Sequence, residues 1–413
     1  MSTYIVVGSG VAGCAAALAF AKAGNKVELL EAEGRIGGKV LSYCCKATDS
    51  CSRCGVCTAH DLFAQILAHP GVAIRTAVDL RTVREAGGRT SVRVGASGPW
   101  IDPKACIDCG RCVPACPSRA IRRYARGGVS FHHIEGTQCA DAPDAPCPSC
   151  RNACPTGAIH AADPAGTLKK ADGVLLALGH RPFDPALKPR LGYGRFPNVF
   201  TGAEAEEILS RRTTLTRADA ASTAAPRSVA FIQCVGSRDP LLKRNWCSAV
   251  CCAYALRLAR LLAHRDPGAE ITVYAIDVQD FDKALTPLRA ELEAKGVKIV
   301  RGVPSSVDSA AGGRLRLLVE DPKSGARTAE HDAVVLSVGL GPDPRARATA
   351  ARFGLDPDAD GFLPEGGGGV RAAGTCAAPQ GIPGSMAQGR AAALELMSGR
   401  AGGHVGSRAG GHG

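Results

Sequence analysis

Two cysteine runs carry the most specific chemistry in this 413-residue chain. "CIDCGRCVPACP" sets Cys106, Cys109, Cys112 and Cys116 at gaps of two, two and three residues, ahead of Pro117. "CADAPDAPCPSCRNACP" sets Cys139, Cys147, Cys150 and Cys154 ahead of Pro155, with a wider first gap of seven residues. Thiolates are soft ligands, and the C-x2-C-x2-C-x3-C-P run holds 4Fe–4S clusters, its fourth thiolate going to the neighbouring cluster. Crossed ligation therefore expects one cluster on Cys106, Cys109, Cys112 and Cys154, and a second on Cys139, Cys147, Cys150 and Cys116. Structural zinc is the competing reading; two such runs, each ending in Cys-Pro and each followed by an Ala-Ile pair, weigh against it.

Both runs resemble those of bacterial ferredoxins, the second with a looped first gap. Two further groups follow other spacings. Cys234, Cys247, Cys251 and Cys252 lie between an apolar strand-like run, Val229–Ile232, and a helical pattern, a place where a second nucleotide-binding unit would carry its glycine-rich loop. "YCCKATDSCSRCGVC" holds Cys44, Cys45, Cys51, Cys54 and Cys57, enough thiols for a fourth cluster on Cys51, Cys54 and Cys57 with Cys44 or Cys45, of which Cys45 is the assignment adopted. A redox dithiol at Cys44/Cys45 and spare thiols assisting the 234–252 group are the alternatives. The 19 cysteines are odd in number and clustered, a poor disulfide framework. Cys14 and Cys376 lack partners at ligand spacing and read as packed thiols. His132 and His133 read as surface residues in a polar turn.

These groups need a scaffold, and "YIVVGSGVAGCAAALAF" supplies its start. Gly8, Gly10 and Gly13 fall between a strand (Tyr4–Val7) and an Ala-rich helix (11–23). That pattern serves a tight turn, close approach of a pyrophosphate, and helix–strand packing in that order. Glu31 closes the next strand, where an acid accepts from ribose hydroxyls. Gly37-Gly38, the segment 173–185 with Gly179, and 370–396 with Gly374, Met386 and Ala387 resemble the later segments of two-dinucleotide flavoproteins. FAD, rather than NAD, is the expected cofactor.

Composition bounds the rest. The chain is 45% hydrophobic and 21% charged, as in globular proteins, and no apolar run approaches the ~20 residues of a membrane span. The net charge of +12 comes with only 4% aromatic residues and no dominant Lys/Arg block, so nucleic acid is not an expected partner. Four clusters of about +2 on sixteen thiolates would lower that charge by roughly eight. The expected class is α/β, a two-dinucleotide-binding (thioredoxin-reductase-like) fold with an inserted 2x(4Fe–4S) ferredoxin domain. Residues 1–99, 163–215 and 335–400 form the FAD-binding domain and 100–162 the insertion. Residues 226–334 form a Rossmann-like second domain, and 401–413 a Gly-rich disordered tail.

"FIQCVGSRD" followed by the Cys-x3-Cys-Cys helix start, with 197–209 and 269–281, closely resembles the A-type subunits of heterodisulfide reductases. The related A-type subunits of quinone-interacting membrane-bound oxidoreductases share the pattern. The resemblance implies a 4Fe–4S cluster on the 234–252 cysteines beside the flavin, in place of an NAD(P)H loop. It further implies a cytoplasmic electron-transfer subunit, or one peripheral to a membrane complex. Its partners would be heterodisulfide-reductase B/C-like subunits and a ferredoxin- or hydrogenase-type donor. Arg257 stands where the family usually has lysine near the flavin, and an N-terminal extension and C-terminal ferredoxin pair are missing. No catalytic acid, base or nucleophile stands out. A self-contained flavin disulfide reductase using Cys44/Cys45 and a non-catalytic iron–sulfur scaffold are the rival readings.

Overall fold

The computed structural model describes residues 1–96, 98–140, 147–216, 224–321 and 325–401. The expected tail beyond 401 and the middle of the polar stretch 211–227 lie outside them. The chain opens with β1 (Thr3–Val7), α1 (Val11–Lys22), β2 (Lys26–Leu30), α2 (Val56–Ala68) and β3 (Val72–Arg75). A five-stranded parallel sheet runs in the order Val370–Ala372, Gly173–Leu176, β1, β2, β3. Both faces are covered, which is why β1 is buried from Tyr4 to Val7 without alternation. On one face α1 lies close, because its alanines (Ala15, Ala16, Ala17) bury almost no bulk. The last helix, Ile382–Ala401, packs along α1, and a Cβ at Gly389 would stand 2.2 Å from the Ala12 carbonyl oxygen. On the other face Ile5, Val7 and Val174 meet Val92 and Val94 of a three-stranded antiparallel sheet (Val78–Ala86, Arg89–Ala96, Asp163–Ala171).

Between the last two of those strands the chain leaves and returns through a short antiparallel neck, Trp100 opposite His160 and Ile101 opposite Ile159. Beyond the neck lie the two cysteine runs and a hairpin of β4 (Ile121–Arg126) and β5 (Val129–Ile134). Tyr124 and Phe131 of this hairpin join the core of the first unit, and His60 Nε2 on α2 lies 2.5 Å from the Tyr124 hydroxyl. His132 and His133 are buried in β5, at 3% and 5% exposure, and not on the surface. Their strand is covered on both sides: α2 packs on it, while His132 lines a cavity among the cysteines.

The second unit repeats the plan. Its parallel sheet runs β6 (Val199–Thr201), β10 (Ala333–Val338), β7 (Ser228–Val235), β8 (Glu270–Ala275), β9 (Lys298–Arg301). Helix α3 (Gly202–Arg211) starts on a capping box of Thr201 and Glu204, and α4 (Cys251–Arg265) follows the long loop after β7. A three-stranded antiparallel sheet, Val303–Ser309 to Gly325–His331, again covers the opposite face. Cys251 and Cys252 both sit in the first turn of α4, in regular helix. The irregularity falls earlier: Cys234 and Ala249 have φ of 58°.

Candidate redox centres and nucleotide cleft

The first βα turn is shaped as an anion cradle. A Cβ on Gly8 would stand 2.2 Å from the Ala177 carbonyl oxygen, and one on Gly13 1.9 Å from that of Gly8, so strand, turn and helix close tightly here. A Cβ on Gly10 would meet nothing within 4 Å. Gly10 also caps α1 without any side-chain bond, leaving the helix N-terminal N–H groups free to face a phosphate. Gly38 lies over this turn, its Cβ position 3.3 Å from Gly10 Cα.

Glu31 is buried and accepts from the Ser9 N–H (2.8 Å), the Ser9 hydroxyl (2.6 Å) and the Glu33 N–H (2.9 Å). Burial pushes its carboxyl up, against those donors. Open cradle, uncapped helix and buried acid fit a dinucleotide. Gly179, at φ 73°, likewise has open space, and Gly374 packs against Ala12 and donates its N–H to Gln388 (2.8 Å). Met386 is in the core beside α1, whereas Ala387 is exposed. Sequence reasoning missed Ser9, Gln388 and His180. His180, its pKa lowered to about 4 by burial and then by Lys39, lies 3.0 Å from Thr375 Oγ1. Only the Gly-rich spacing had a local signal; these partners come from distant segments.

The two runs cross. Cys106, Cys109, Cys112 and Cys154 line one cavity with Ile107, His132 and Thr156. The Cys112 thiol is pushed up to about 11 by burial and then by Cys106, Cys109 and Cys154. The Cys150 thiol is raised by burial and then by Cys116, Cys139 and Cys147, so the fourth cysteine of each run sits with three of the other. Cys116 and Cys154 behave differently: burial raises them, but donors outweigh it and hold both below the ordinary thiol range. The donors repeat in register, Ser118 with the Ala120 and Ile121 N–H groups for Cys116, and Thr156 with those of Ala158 and Ile159 for Cys154. The Ala-Ile pair after each Cys-Pro is thus a sulfur-facing turn.

A second cavity is lined by Cys234, Cys247, Cys251 and Cys252 with Ser237, Gln279 and the exposed Phe281. Burial and the neighbouring Cys252 and Cys247 push the Cys234 thiol up to about 11. The fourth group forms around Cys57, whose thiol is raised by burial and then by Cys45, Cys54 and Cys51. Cys44 is turned away into the core of the second unit, where burial pushes its thiol up to about 11. Cys14 and Cys376 are buried apart from all four groups.

Among the described residues no three His, Cys, Asp or Glu side chains converge on a single-ion site. Sets of four thiolates match the ligand count of a 4Fe–4S cubane, one thiolate on each iron. Backbone strain collects at the same places. Of eight described non-glycine residues with positive φ, only Ala77 lies outside the cysteine loops.

Arg257 bonds to two separate segments. Its Nε donates to the Ser52 carbonyl (2.9 Å) and its Nη2 to Asp282 (2.5 Å). One turn on, Arg260 holds the Ser50 hydroxyl (2.8 Å), the Ser50 carbonyl (3.3 Å) and Glu291 (3.0 Å).

Residues 6–79 match the NAD(P)-binding Rossmann-like domain family and residues 99–122 the 4Fe-4S binding domain family. The solved structure of T. acidophilum thioredoxin reductase superposes with a TM-score of 0.53, covering 97% of this chain and 100% of that one at 14% identity. Together these define the class: a thioredoxin-reductase-like, two-nucleotide fold carrying a 4Fe–4S domain. The chain is 30% identical over 94% of its length to the A-type subunit of the H(2):CoB-CoM heterodisulfide,ferredoxin reductase of Methanothermobacter marburgensis, covering 62% of that relative. It is equally similar (30% over 94%, covering 63%) to the A-type iron-sulfur subunit of the CoB--CoM heterodisulfide reductase of Methanocaldococcus jannaschii. The chain is thus similar to the A-type subunits of heterodisulfide reductases and spans about three-fifths of the length of these relatives.

Proposed function

We propose that this chain is an FAD- and iron–sulfur-containing electron-transfer subunit of a heterodisulfide-reductase-like complex. The observation that carries it is the grouping of sixteen cysteines into four sets of four in a chain that also holds a nucleotide cradle. FAD supplies the exchange between electron pairs and single electrons. The chain's own residues do the rest. Gly8, Gly10, Gly13, Glu31, Gly37, Gly38, Gly179 and Gly374 bind and orient the dinucleotide, with the N-terminus of the last helix, Met386 and Ala387 included, alongside. Cys106, Cys109, Cys112 and Cys154 hold one 4Fe–4S cluster and Cys116, Cys139, Cys147 and Cys150 a second. Cys234, Cys247, Cys251 and Cys252 hold a third, and Cys45, Cys51, Cys54 and Cys57 a fourth. The insertion 100–162 then serves as one electron route and the second unit as another.

The second unit has thiols where a phosphate loop would stand, which argues against NAD(P)H as direct reductant. The terminal reduction belongs to partner subunits of B/C type, with a ferredoxin- or hydrogenase-type donor. This reading makes the chain a cytoplasmic component, or one peripheral to a membrane complex. Among the described residues no helix is long and apolar enough to cross a membrane. The Cys44/Cys45 dithiol reading is disfavoured, because Cys44 is buried in a hydrophobic core and Cys45 is exposed among the other thiols.

Anaerobic quantitation of iron, sulfide and flavin, with EPR during stepwise reduction, tests the proposal. About sixteen iron per FAD is expected for four 4Fe–4S clusters. About twelve would return the 45–57 thiols to another role, and about four with zinc present would overturn the relay altogether.

A further inference from the structure

Helix α4 touches two thiol groups at once. Its first turn carries Cys251 and Cys252, and its Arg257 and Arg260, six and nine residues after Cys251, grip the loop that carries Cys51. Arg257 is 7% exposed at its side chain and is held from both sides. On one side is the Ser52 carbonyl, next to Cys51; on the other is Asp282, next to Phe281, which lines the 234–252 cavity. The loop it grips has backbone strain of its own, with Arg53 at φ 50°.

We propose that Arg257 is a positioning residue that couples the 45–57 and 234–252 centres. Its ion pair with Asp282 sets the charge between them, and its bond to Ser52 fixes the 45–57 loop on α4. This rests on the reading that Cys45, Cys51, Cys54 and Cys57 hold a cluster. A cluster gains one electron on reduction, with no bond broken, so a nearby positive charge favours the reduced form and a nearby negative charge opposes it. A lysine would keep the charge but carry all its donors on one nitrogen, whereas the guanidinium reaches Ser52 and Asp282 from separate nitrogens, Nε and Nη2.

The experiment uses the anaerobic, reconstituted full chain as wild type, R257Q, R257K, D282N and C54S, titrated with dithionite and followed by EPR and iron content. C54S identifies the signal of the 45–57 cluster by removing it. R257Q leaves the Asp282 carboxylate unpaired and shifts that signal, or its 234–252 neighbour, to a more negative potential. D282N leaves the guanidinium unpaired and shifts the same signal to a more positive potential. R257K recovers part of the R257Q shift, and the two signals of the insertion stay where they are in wild type.

Opposite shifts are the mark of charge at that position; a merely structural role moves both variants the same way and overturns the proposal, as does no shift in either. If R257Q loses the cluster, the D282N shift decides alone. A wild type with about twelve iron and no signal sensitive to C54S defeats the underlying reading of the fourth set instead.

Discussion

Lys46 Nζ lies 2.6 Å from Glu206 Oε2, with the two side chains 3% and 6% exposed, and the same oxygen accepts from the Cys44 N–H at 3.1 Å. A residue beside Cys45 is therefore tied to α3 of the second unit through a buried ion pair. Removing one member leaves the other charge buried and alone, which costs about 3 kcal/mol or more. Glu206→Gln is expected to lower the unfolding free energy by that order in urea melts. It is also expected to loosen the 45–57 loop, seen as faster iron loss to a chelator. Lys46→Met with Glu206→Leu removes both charges together and recovers much of the stability.

Gly10 and Gly13 separate binding from folding. Gly10 faces open space, so Gly10→Ala is expected to melt near wild type yet emerge from desalting without flavin absorbance. Gly13→Ala places a methyl against the Gly8 carbonyl and is expected to destabilise by about 1–3 kcal/mol in addition. Equal melting temperatures for the two variants would contradict the role given to Gly13.

Crossed ligation is tested by Cys116→Ser. The chain should lose about four iron, and the lost EPR signal should be the one also removed by Cys147→Ser, not by Cys109→Ser. A shared loss with Cys109→Ser would mean that each run closes its own cluster.

The vicinal cysteines should part company. Cys45→Ser is expected to cost about four iron per chain. Cys44→Ser should keep its iron and lose stability, because it places a hydroxyl in an apolar core. If Cys44→Ser alone lost the cluster iron, the assignment of Cys45 would be wrong.

His331 is 6% exposed, its pKa lowered to about 4 from 6.5 by burial first, and its Nε2 lies 2.9 Å from the Tyr274 hydroxyl. The unfolded chain binds this proton near pH 6.5 and the folded chain only near 4. Stability from the neutral imidazole is full above pH 6.5 and drains away as pH falls through that window, by at most about 3 kcal/mol. His331→Gln should flatten the fall of urea-unfolding free energy between pH 6.5 and 4 relative to wild type.

Local spacing made much of this legible. The glycine turn and the two Cys-Pro runs place their groups within one turn of chain, so residue type and gap suffice. The looped gap between Cys139 and Cys147 did not obscure the second run, because the closing C-x2-C-x3-C-P stayed intact. Cys44 and Cys45 could not be told apart from sequence. Neighbours in an extended chain point opposite ways, and which way is inward depends on where α3 and α4 lie. The burial of His132 and His133 was hidden for a similar reason, since β5 is covered on both faces by segments remote in sequence. Arg257 was visible as a departure from lysine, but its partner, Ser52, is 205 residues away. No periodicity reports such a contact.

The grip of α4 on the 50–53 loop has a mechanical side. The loop grows out of the first unit and the helix out of the second, so any swivel between the units must first tear out the Ser50, Ser52 and Glu206 contacts. Domains that hand over a diffusing nucleotide profit from turning against each other. A path that conducts by proximity profits from standing still, and here two guanidinium groups and one ion pair act as rivets across the seam.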